Sequence, residues 1–480
     1  MTEPLRVAAV DLGATSGRVV VAEVGLGGVR LEVVHRFVNT PVRLPDGLHW
    51  DVVGLFREIV TGLRSAVRTT PELVGLAVDS WAVDYALMRD GRMVSTPFHY
   101  RDARNLAAVE QVHAAVDPAA LYARNGLQHL PFNTVFQLAA DGDHLERADT
   151  LLLVPDLIGH WLNGHVGAEV TNASTTGLLD VSTGGWDTDL AAMLGFSSGI
   201  LPPLTPPGTT LGGLLPHVRE ELGGHDLTVT TVGSHDTASA VAGTVLGPDD
   251  AYVSCGTWGL AGLELERPVL TEDARLAGFT NEGGVDGRIR FLHNVMGLWL
   301  LSESVRTWER EDGRSLDFAG LLAAAGDAEA PMLFDVDDPR FLAPGDVPAR
   351  VRAYAAEHGL PAPEGRAEMA RTILESLAEA FATTIHRAAD LAGRRVRRIQ
   401  IVGGGALNTL LCQLTADRSG LEVLAGPVEA TALGNALVQA RTLGGVEGDL
   451  DALRALVGAR LDQQHYLPRP LHRTTLRKVF

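Results

Sequence analysis

Cysteine is nearly missing from this chain. Its 480 residues hold two, Cys255 and Cys412, too few for a disulfide framework and without metal-ligand spacing. Both read as small core residues, and their scarcity fits a reducing compartment. Positive charge is also in short supply. Forty Lys and Arg stand against 59 Asp and Glu, a formal charge of -19, which argues against nucleic acid or an anionic membrane as partner. A small phosphorylated ligand held by local dipoles stays compatible with that balance. No apolar run approaches the length that spans a bilayer, and "MTEPLRVAAVDLG" has no basic segment followed by an apolar one, so the expected location is cytoplasmic. Two nucleotide-binding patterns are absent as well. There is no G-x-x-x-x-G-K-[ST], and "VGGGALN" lacks the G-x-G-x-x-G spacing, which argues against a Walker-type site and a dinucleotide fold.

What is present is a chain with 46% hydrophobic and 21% charged residues, ordinary for a soluble globular protein and longer than one core usually supports. Two domains are expected, 1–245 and 246–480. The first opens as a β-meander: "VAAVDLG", a turn, "RVVVAEV", then "GLGG" at Gly25 to Gly28 and "VRLEVVHRF". Further on, a buried strand is expected to end near Val78 and a hairpin to turn at Asp90-Gly91. Residues 105–200 look mixed and loop-rich. "AYVSCGTWGLAGLELERP" from Ala251 repeats the opening plan of strand, turn and strand. Met369, Ile373, Leu377, Phe381 and Ile385 recur in steps of four, an amphipathic helix stopped by Gly393. It feeds two strand-to-helix units, one through Gly403, Gly404 and Gly405. The fold class is therefore α/β, with ligands expected at strand ends.

The turns carry a chemical hint. Backbone N–H groups bind a phosphate tail where no Cβ blocks approach, and short hydroxyls add donors. Gly13, Thr15, Ser16, Gly17 and Arg18 supply that set in the first turn, Gly256 and Thr257 in the second. Either turn alone reads first as a tight hairpin with no ligand; two similar turns and a third glycine cluster together point to a nucleotide. A second hint is "VGSHDTASAVAGT", where His235 and Asp236 sit between a strand-like and a helix-like run. A plain N-cap is one reading. A carboxylate placed to accept a hydroxyl proton is the other.

Ten stretches in order, "VAAVDLGATSGR", "DSWAVDY", "YRDAR", "PFNTVFQL", "VGSHDTASAV", "SCGTWGL", "TNEGG", "HNVMGLWLL", "IVGGGALNTLLCQL" and "GPVEATALGNALVQ", span nearly the whole sequence. They resemble the FGGY carbohydrate kinases of the actin-like ATPase superfamily, and "SHDTASAV" with "NVMGLWLL" and "PFNTVFQL" resembles the branch acting on L-rhamnulose. The resemblance implies two ribonuclease H-like domains with an interdomain cleft. The first would bind sugar and phosphate and the second the nucleotide. It implies phosphorylation of the ketose at its C1 hydroxyl by ATP with Mg²⁺. The alternatives are another ketose, such as fuculose, xylulose or ribulose, or a non-catalytic sugar sensor.

By the same resemblance Asp236 is the general base, and His235, Thr237 and Asn294 contact the sugar. Ala14, Thr15, Ser16, Gly17, Arg18 and Thr257 lie on ATP phosphates, with Gly404 and Gly405 near the nucleotide. Asp11 would face the phosphates, where a carboxylate repels unless Mg²⁺ intervenes, so it takes a metal-linked role through water; a turn-forming Asp is its other reading. Asn294 reads otherwise as a cap before "VMGLWLL". "DSWAVDY" would line the sugar pocket with Trp81, Ala82 and Asp84, ring face to C–H surface and carboxylate to hydroxyls. Trp81 equally suits a core, and Asn133 and Gln137 are open between pocket and helix cap. Two departures stand out: Ala82 where family members often carry glycine, and Ser302 where a glutamine reaching the nucleotide is common. Nothing in the sequence fixes the oligomeric state.

Overall fold

The computed structural model describes residues 3–458 and 463–470. The chain divides into two compact units. One comprises Met1–Val245, Glu264–Phe291 and Ala430–Leu461, the other Leu246–Leu263, Leu292–Glu429 and Asp462–Phe480. A single cut after 245 therefore leaves out two returns of the chain. The second return has a visible cause. The helix Ala430–Thr442 lies so close to the helix Asp236–Ala242 that a Cβ on Gly434 would fall 1.8 Å from the Ser239 carbonyl oxygen, and one on Gly243 2.4 Å from that of Ala430. Only paired glycines let two backbones meet like this.

The first unit is built on a six-stranded sheet in the order Thr210–Gly212, Thr228–Thr230, Gly75–Ser80, Leu5–Leu12, Ser16–Gly25, Gly28–Val38. The last three form the expected meander, turning at Leu26 and Gly27. Leu5–Leu12 pairs antiparallel with Ser16–Gly25 and parallel with Gly75–Ser80. The latter strand runs on to Ser80, past the expected end at Val78. From Val7 to Leu12 every residue is buried, because helices cover both faces of the sheet. On one, Gly62 of the helix Val52–Thr69 sits where a Cβ would meet Val19 at 2.4 Å. On the other, Val7, Ala22 and Val24 pack against Leu433, Ala436 and Leu437 of Ala430–Thr442.

A smaller sheet in the same unit turns at Asp90 and Gly91 (φ 49° and 71°), the left-handed pair that a two-residue hairpin needs. Residues 105–200 fold mainly into short helices packed around an apolar cluster that includes Val112, Phe136, Leu151 and Leu178.

In the second unit Asp250–Cys255 pairs antiparallel with Trp258–Leu265 and parallel with Arg398–Val402, which pairs parallel with Glu422–Ala425. The helix Arg366–Ala392 buries Met369, Ile373, Leu377, Phe381 and Ile385 and ends at left-handed Gly393, as the spacing predicts. Gly259 admits the Phe381 ring where any Cβ would collide at 2.5 Å. Cys255 and Cys412 are both buried thiols, and burial pushes each up to about 12, so they serve as small apolar residues.

Candidate active site

Strand register in the first unit sets a row of charge. Asp11 stands opposite Arg18 on the antiparallel side and opposite Asp79 on the parallel side. Directly opposed residues share a face, so the three side chains lie abreast at the carboxyl ends of the two parallel strands. Arg18 donates to Asp11 Oδ2 through Nε at 2.8 Å and Nη2 at 2.5 Å. The guanidinium expected among the phosphate-binding residues is thus engaged by the first carboxylate of its own hairpin. Asp79 is fully buried and takes one hydrogen bond from Asn435 Nδ2, 2.5 Å from its Oδ2. Burial first, and then the neighbouring Asp11, push its carboxyl well above the usual range. Sequence reading passed over Asp79; its place near the end of a buried strand is visible in the sequence, but its register with Asp11 appears only in the fold.

The turn itself is closed by Gly13 N–H donating to the Ser16 carbonyl at 2.8 Å, and Asn39 binds the Gly13 and Thr15 carbonyls. Thr15 is exposed and Ala14 and Ser16 half-buried. Gly17 answers a packing demand, since a Cβ there would fall 2.3 Å from the Phe37 ring.

Beside this row lies the "SHD" segment. Ser80 N–H donates to the Ser234 carbonyl at 2.9 Å, and Ser80 bridges His235 in parallel. Glu169, with no exposed surface, gathers the segment: its Oε2 accepts Ser234 N–H at 2.9 Å, Ser234 Oγ at 2.8 Å and Thr171 Oγ1 at 2.5 Å. Asp236 begins the helix Asp236–Ala242, with His235 in extended conformation at the cap and making no side-chain cap bond. The plain N-cap reading is therefore not what the side chains do. Asp236 Oδ1 lies 3.2 Å from Thr237 Oγ1 and 3.4 Å from His235 Nε2. Its side chain keeps 29% exposure. Burial leads in raising its carboxyl, His235 opposes, and Asp11 adds to the rise. A reachable carboxylate with a raised pKa is what a general base requires.

"DSWAVDY" forms a third group. Trp81, 5% exposed, packs at a tilt against Trp50 with ring centroids 4.1 Å apart, and Trp50 stacks on His99, also at 4.1 Å. Asp84 is consumed by protein donors: Trp50 Nε1 at 2.5 Å, Trp81 Nε1 at 3.0 Å and Tyr100 N at 3.3 Å on Oδ2, and Gln137 Nε2 at 2.8 Å on Oδ1. Burial still pushes it up to about 7. The expectation that Asp84 takes sugar hydroxyls gives way here to a positioning role, holding two indoles in place. Gln137 belongs to that network, and Asn133 holds Leu130 N–H through its side chain. Val83, after half-buried Ala82, adopts φ 68°, a strained left-handed value for a β-branched residue, with its carbonyl held by Thr134 Oγ1 at 2.6 Å.

The second unit gathers its glycines around Cys255. A Cβ on Gly405 would fall 2.4 Å from Cys255 Cβ, whereas one on Gly256 would meet nothing within 4 Å and one on Gly404 only the Cys255 carbonyl at 4.0 Å. Gly405 is thus demanded by packing, while Gly256 and Gly404 leave open approaches to the backbone. Thr257 accepts Trp299 N–H at 3.2 Å through its carbonyl, and Gly256 accepts that of Leu298 at 3.0 Å. Thr257, Gly404 and Gly405 are therefore brought together. Asn294 lies within the strand Ile289–Met296, five residues before the helix at Trp299, so the cap reading is overturned.

Among the described residues, no three His, Cys, Asp or Glu side chains group closely enough to hold a metal unaided, and no helix is long and apolar enough to cross a membrane.

Residues 7–243 match the N-terminal domain of the FGGY family of carbohydrate kinases, and residues 251–443 match its C-terminal domain. A rhamnulokinase of Pectobacterium carotovorum is 40% identical over 473 residues, covering 96% of this chain and 93% of that protein. One from Oceanobacillus iheyensis is 36% identical over 463 residues, covering 95% and 97%. Among solved structures, a gluconate kinase from Lactobacillus acidophilus superposes with a TM-score of 0.78 at 16% identity, covering 97% of this chain and 94% of that one. A glycerol kinase from Plasmodium falciparum gives 0.77 at 15%, with the same coverage. These likenesses carry the fold. With both family domains matched in order and close relatives aligned almost end to end, the chain belongs to the FGGY family of carbohydrate kinases.

Proposed function

We propose that this kinase transfers the γ-phosphoryl group of ATP to the C1 hydroxyl of L-rhamnulose, giving L-rhamnulose 1-phosphate and ADP. The observation that carries the reading is Asp236, a carboxylate raised by burial and still reachable, held by the Glu169-anchored "SHD" segment in a chain whose relatives are rhamnulokinases. Asp236 accepts the hydroxyl proton as the oxygen attacks the γ-phosphorus. Little other covalent chemistry falls to the protein, and the rest is positioning and charge stabilisation. His235, Thr237 and Asn294 orient the sugar, and Trp81 offers a ring face to the C–H surface and methyl group of a 6-deoxy ketose. The backbone donors of Ala14, Thr15, Ser16 and Gly17 and the open backbone at Thr257 and Gly404 suit phosphate oxygens, with Gly405 setting the turn beside them.

Mg²⁺ fits the charge balance of the row. Asp11 and Asp236 both add to the rise at Asp79, Asp11 adds to that at Asp236, Arg18 is paired to Asp11, and Asp79 Oδ1 is buried without a hydrogen bond among the described residues. Asp11 would hold the ion through water, in the oxygen-rich setting Mg²⁺ prefers, and the ion would neutralise phosphate charge. The reaction draws on ATP, which suits a cytoplasmic setting.

The test is ADP release by purified protein with Mg²⁺-ATP against L-rhamnulose, L-fuculose, D-xylulose, L-ribulose and glycerol. The expected result is a clear preference for L-rhamnulose. Preference for another ketose overturns the substrate and keeps the kinase, and no sugar-stimulated release at all favours a sensor.

A further inference from the structure

His235 carries more information than its contact with Asp236. Behind the imidazole lies Arg290, with no exposed surface, its Nε bonded to the Gly283 carbonyl at 2.9 Å. Arg290 Nη2 stands 3.0 Å from His235 Nδ1 and 3.1 Å from Glu282 Oε2, and Glu282 Oε2 is 3.3 Å from the same Nδ1. Two arrangements compete at that nitrogen. Nδ1 either carries a proton and gives it to Glu282, or offers its lone pair to Arg290.

The geometry decides. A guanidinium has donors only and keeps its charge, and its N–H is aligned on Nδ1. Among the described residues Glu282 Oε2 receives no hydrogen bond of good geometry despite its nearness. A proton on Nδ1 would face the Arg290 proton head-on across 3.0 Å, in a site where none of the three groups is more than 8% exposed. Burial alone would raise Glu282, but the Arg290 charge beside it acts the other way and its carboxyl lies below the ordinary value, so it stays a carboxylate that pins the guanidinium. With Nδ1 used as an acceptor, the imidazole proton sits on Nε2, which is the nitrogen 3.4 Å from Asp236 Oδ1.

We propose that Arg290, held by Glu282, is a positioning residue that fixes His235 in the Nε2–H tautomer, so that the imidazole serves as a donor beside Asp236 and proton acceptance falls to the carboxylate. This rests on the reading of Asp236 as general base, and it assigns work to the buried residues of "TNEGG" and the strand after it. A second-layer partner that sets a histidine tautomer commonly carries its own share of activity.

The test separates the two readings. The full-length protein, labelled with ¹⁵N in histidine, is recorded by long-range ¹H–¹⁵N correlation at neutral pH, and a His235→Gln variant identifies the His235 signals by their loss. The expected result is an unprotonated Nδ1 and a protonated Nε2. A protonated Nδ1 overturns the proposal whatever the enzyme does. In Arg290→Met the tautomer preference should be lost and kcat should fall about 10- to 100-fold, while the KM for ATP stays within about twofold. Unchanged kcat in a folded Arg290→Met protein also overturns it. Should that variant not fold, the spectrum of the unaltered protein still decides. An Nε2–H tautomer in a protein that phosphorylates no ketose would sink the proposed function and leave the assignment of the proton intact.

Discussion

Two hairpins, one in each unit, follow the same backbone plan and carry opposite chemistry. In the first, Leu5–Leu12 turns into Ser16–Gly25, and its last rung but one is the ion pair Asp11 with Arg18. In the second, Asp250–Cys255 turns into Trp258–Leu265, and the corresponding rung is Ser254 with Leu260. Each central strand has a parallel neighbour, Gly75–Ser80 in one case and Arg398–Val402 in the other. That neighbour supplies a carboxylic acid, Asp79, to the first site and leads into a glycine turn, Gly403–Leu407, in the second. The first site works through charged side chains that need partners to be buried. The second works through side chains that are missing. Damage to the first should therefore appear in turnover or stability, and damage to the second in affinity for the nucleotide.

The largest expected effect is on Asp236. Replacing it with Asn should lower kcat by roughly 10²–10⁴-fold, while ATP binding, followed by titration calorimetry, stays largely intact. Unchanged turnover would remove Asp236 from the mechanism and erase the contrast. The unaltered enzyme gives a companion signal in its pH profile. A general base must be ionised to accept a proton, and burial raises the Asp236 carboxyl above the ordinary value. The fall of kcat/KM on acidification should accordingly begin at higher pH than an ordinary aspartate would give, and the Asn variant should lack it.

Next comes Asp84, where the charged site pays in stability. Asp84→Ala strands the indole N–H groups of Trp50 and Trp81, both buried, while Gln137 Nε2 keeps the Phe132 carbonyl at 2.9 Å. At about 1–3 kcal/mol for each unsatisfied donor, the loss should reach about 2 kcal/mol or more in denaturant unfolding. The sign of the pH effect is a second check. Because folding raises this carboxyl to about 7, its contribution is fully present below its unfolded pKa and lost as pH rises through about 7. The variant's stability should change less across that interval.

In the second unit the matching change adds atoms. Gly405→Ala places a Cβ 2.4 Å from Cys255 Cβ and 2.5 Å from its sulfur, so the turn holding Gly256 and Thr257 must shift. Overpacking of this kind costs about 1–3 kcal/mol, and part of it should appear as a roughly tenfold higher KM for ATP with kcat little changed. A fall in kcat at constant KM would break the division of labour between the hairpins.

The same contrast explains what was legible in the sequence. Steps of four from Met369 to Ile385, the Asp90-Gly91 turn and the repeated strand-turn-strand plan are local patterns, and local physics writes them plainly. The return of Ala430–Thr442 to the first unit was hidden, since it depends on Gly243 and Gly434 meeting across nearly two hundred residues. Asp79 was hidden for a related reason: its role comes from register with Asp11, and no spacing announces a parallel register. Asp84 was seen and given the wrong partners, because a carboxylate among indoles reads alike whether it meets a sugar or Trp50 and Trp81. Asn294 read as a helix cap only while the helix start at Trp299 was unknown.

The smallest effect belongs to Ser302. Its side chain is exposed on the first turn of the helix Trp299–Asp312, and its N–H donates to the Leu298 carbonyl at 2.9 Å. Leu298 in turn donates to Gly256, so Ser302 stands one helical turn from the open backbone of the second hairpin. If the nucleotide binds at that backbone, a longer amide on the exposed Ser302 carbon would add one neutral hydrogen bond without displacing a buried neighbour. Such a bond is worth about 0.5–1.5 kcal/mol net. Ser302→Gln should therefore lower the KM for ATP by about two- to tenfold at unchanged kcat, read from initial rates at saturating ketose. A change in kcat instead would mean that the second hairpin takes part in turnover and that affinity and chemistry are not divided as the two glycine turns suggest.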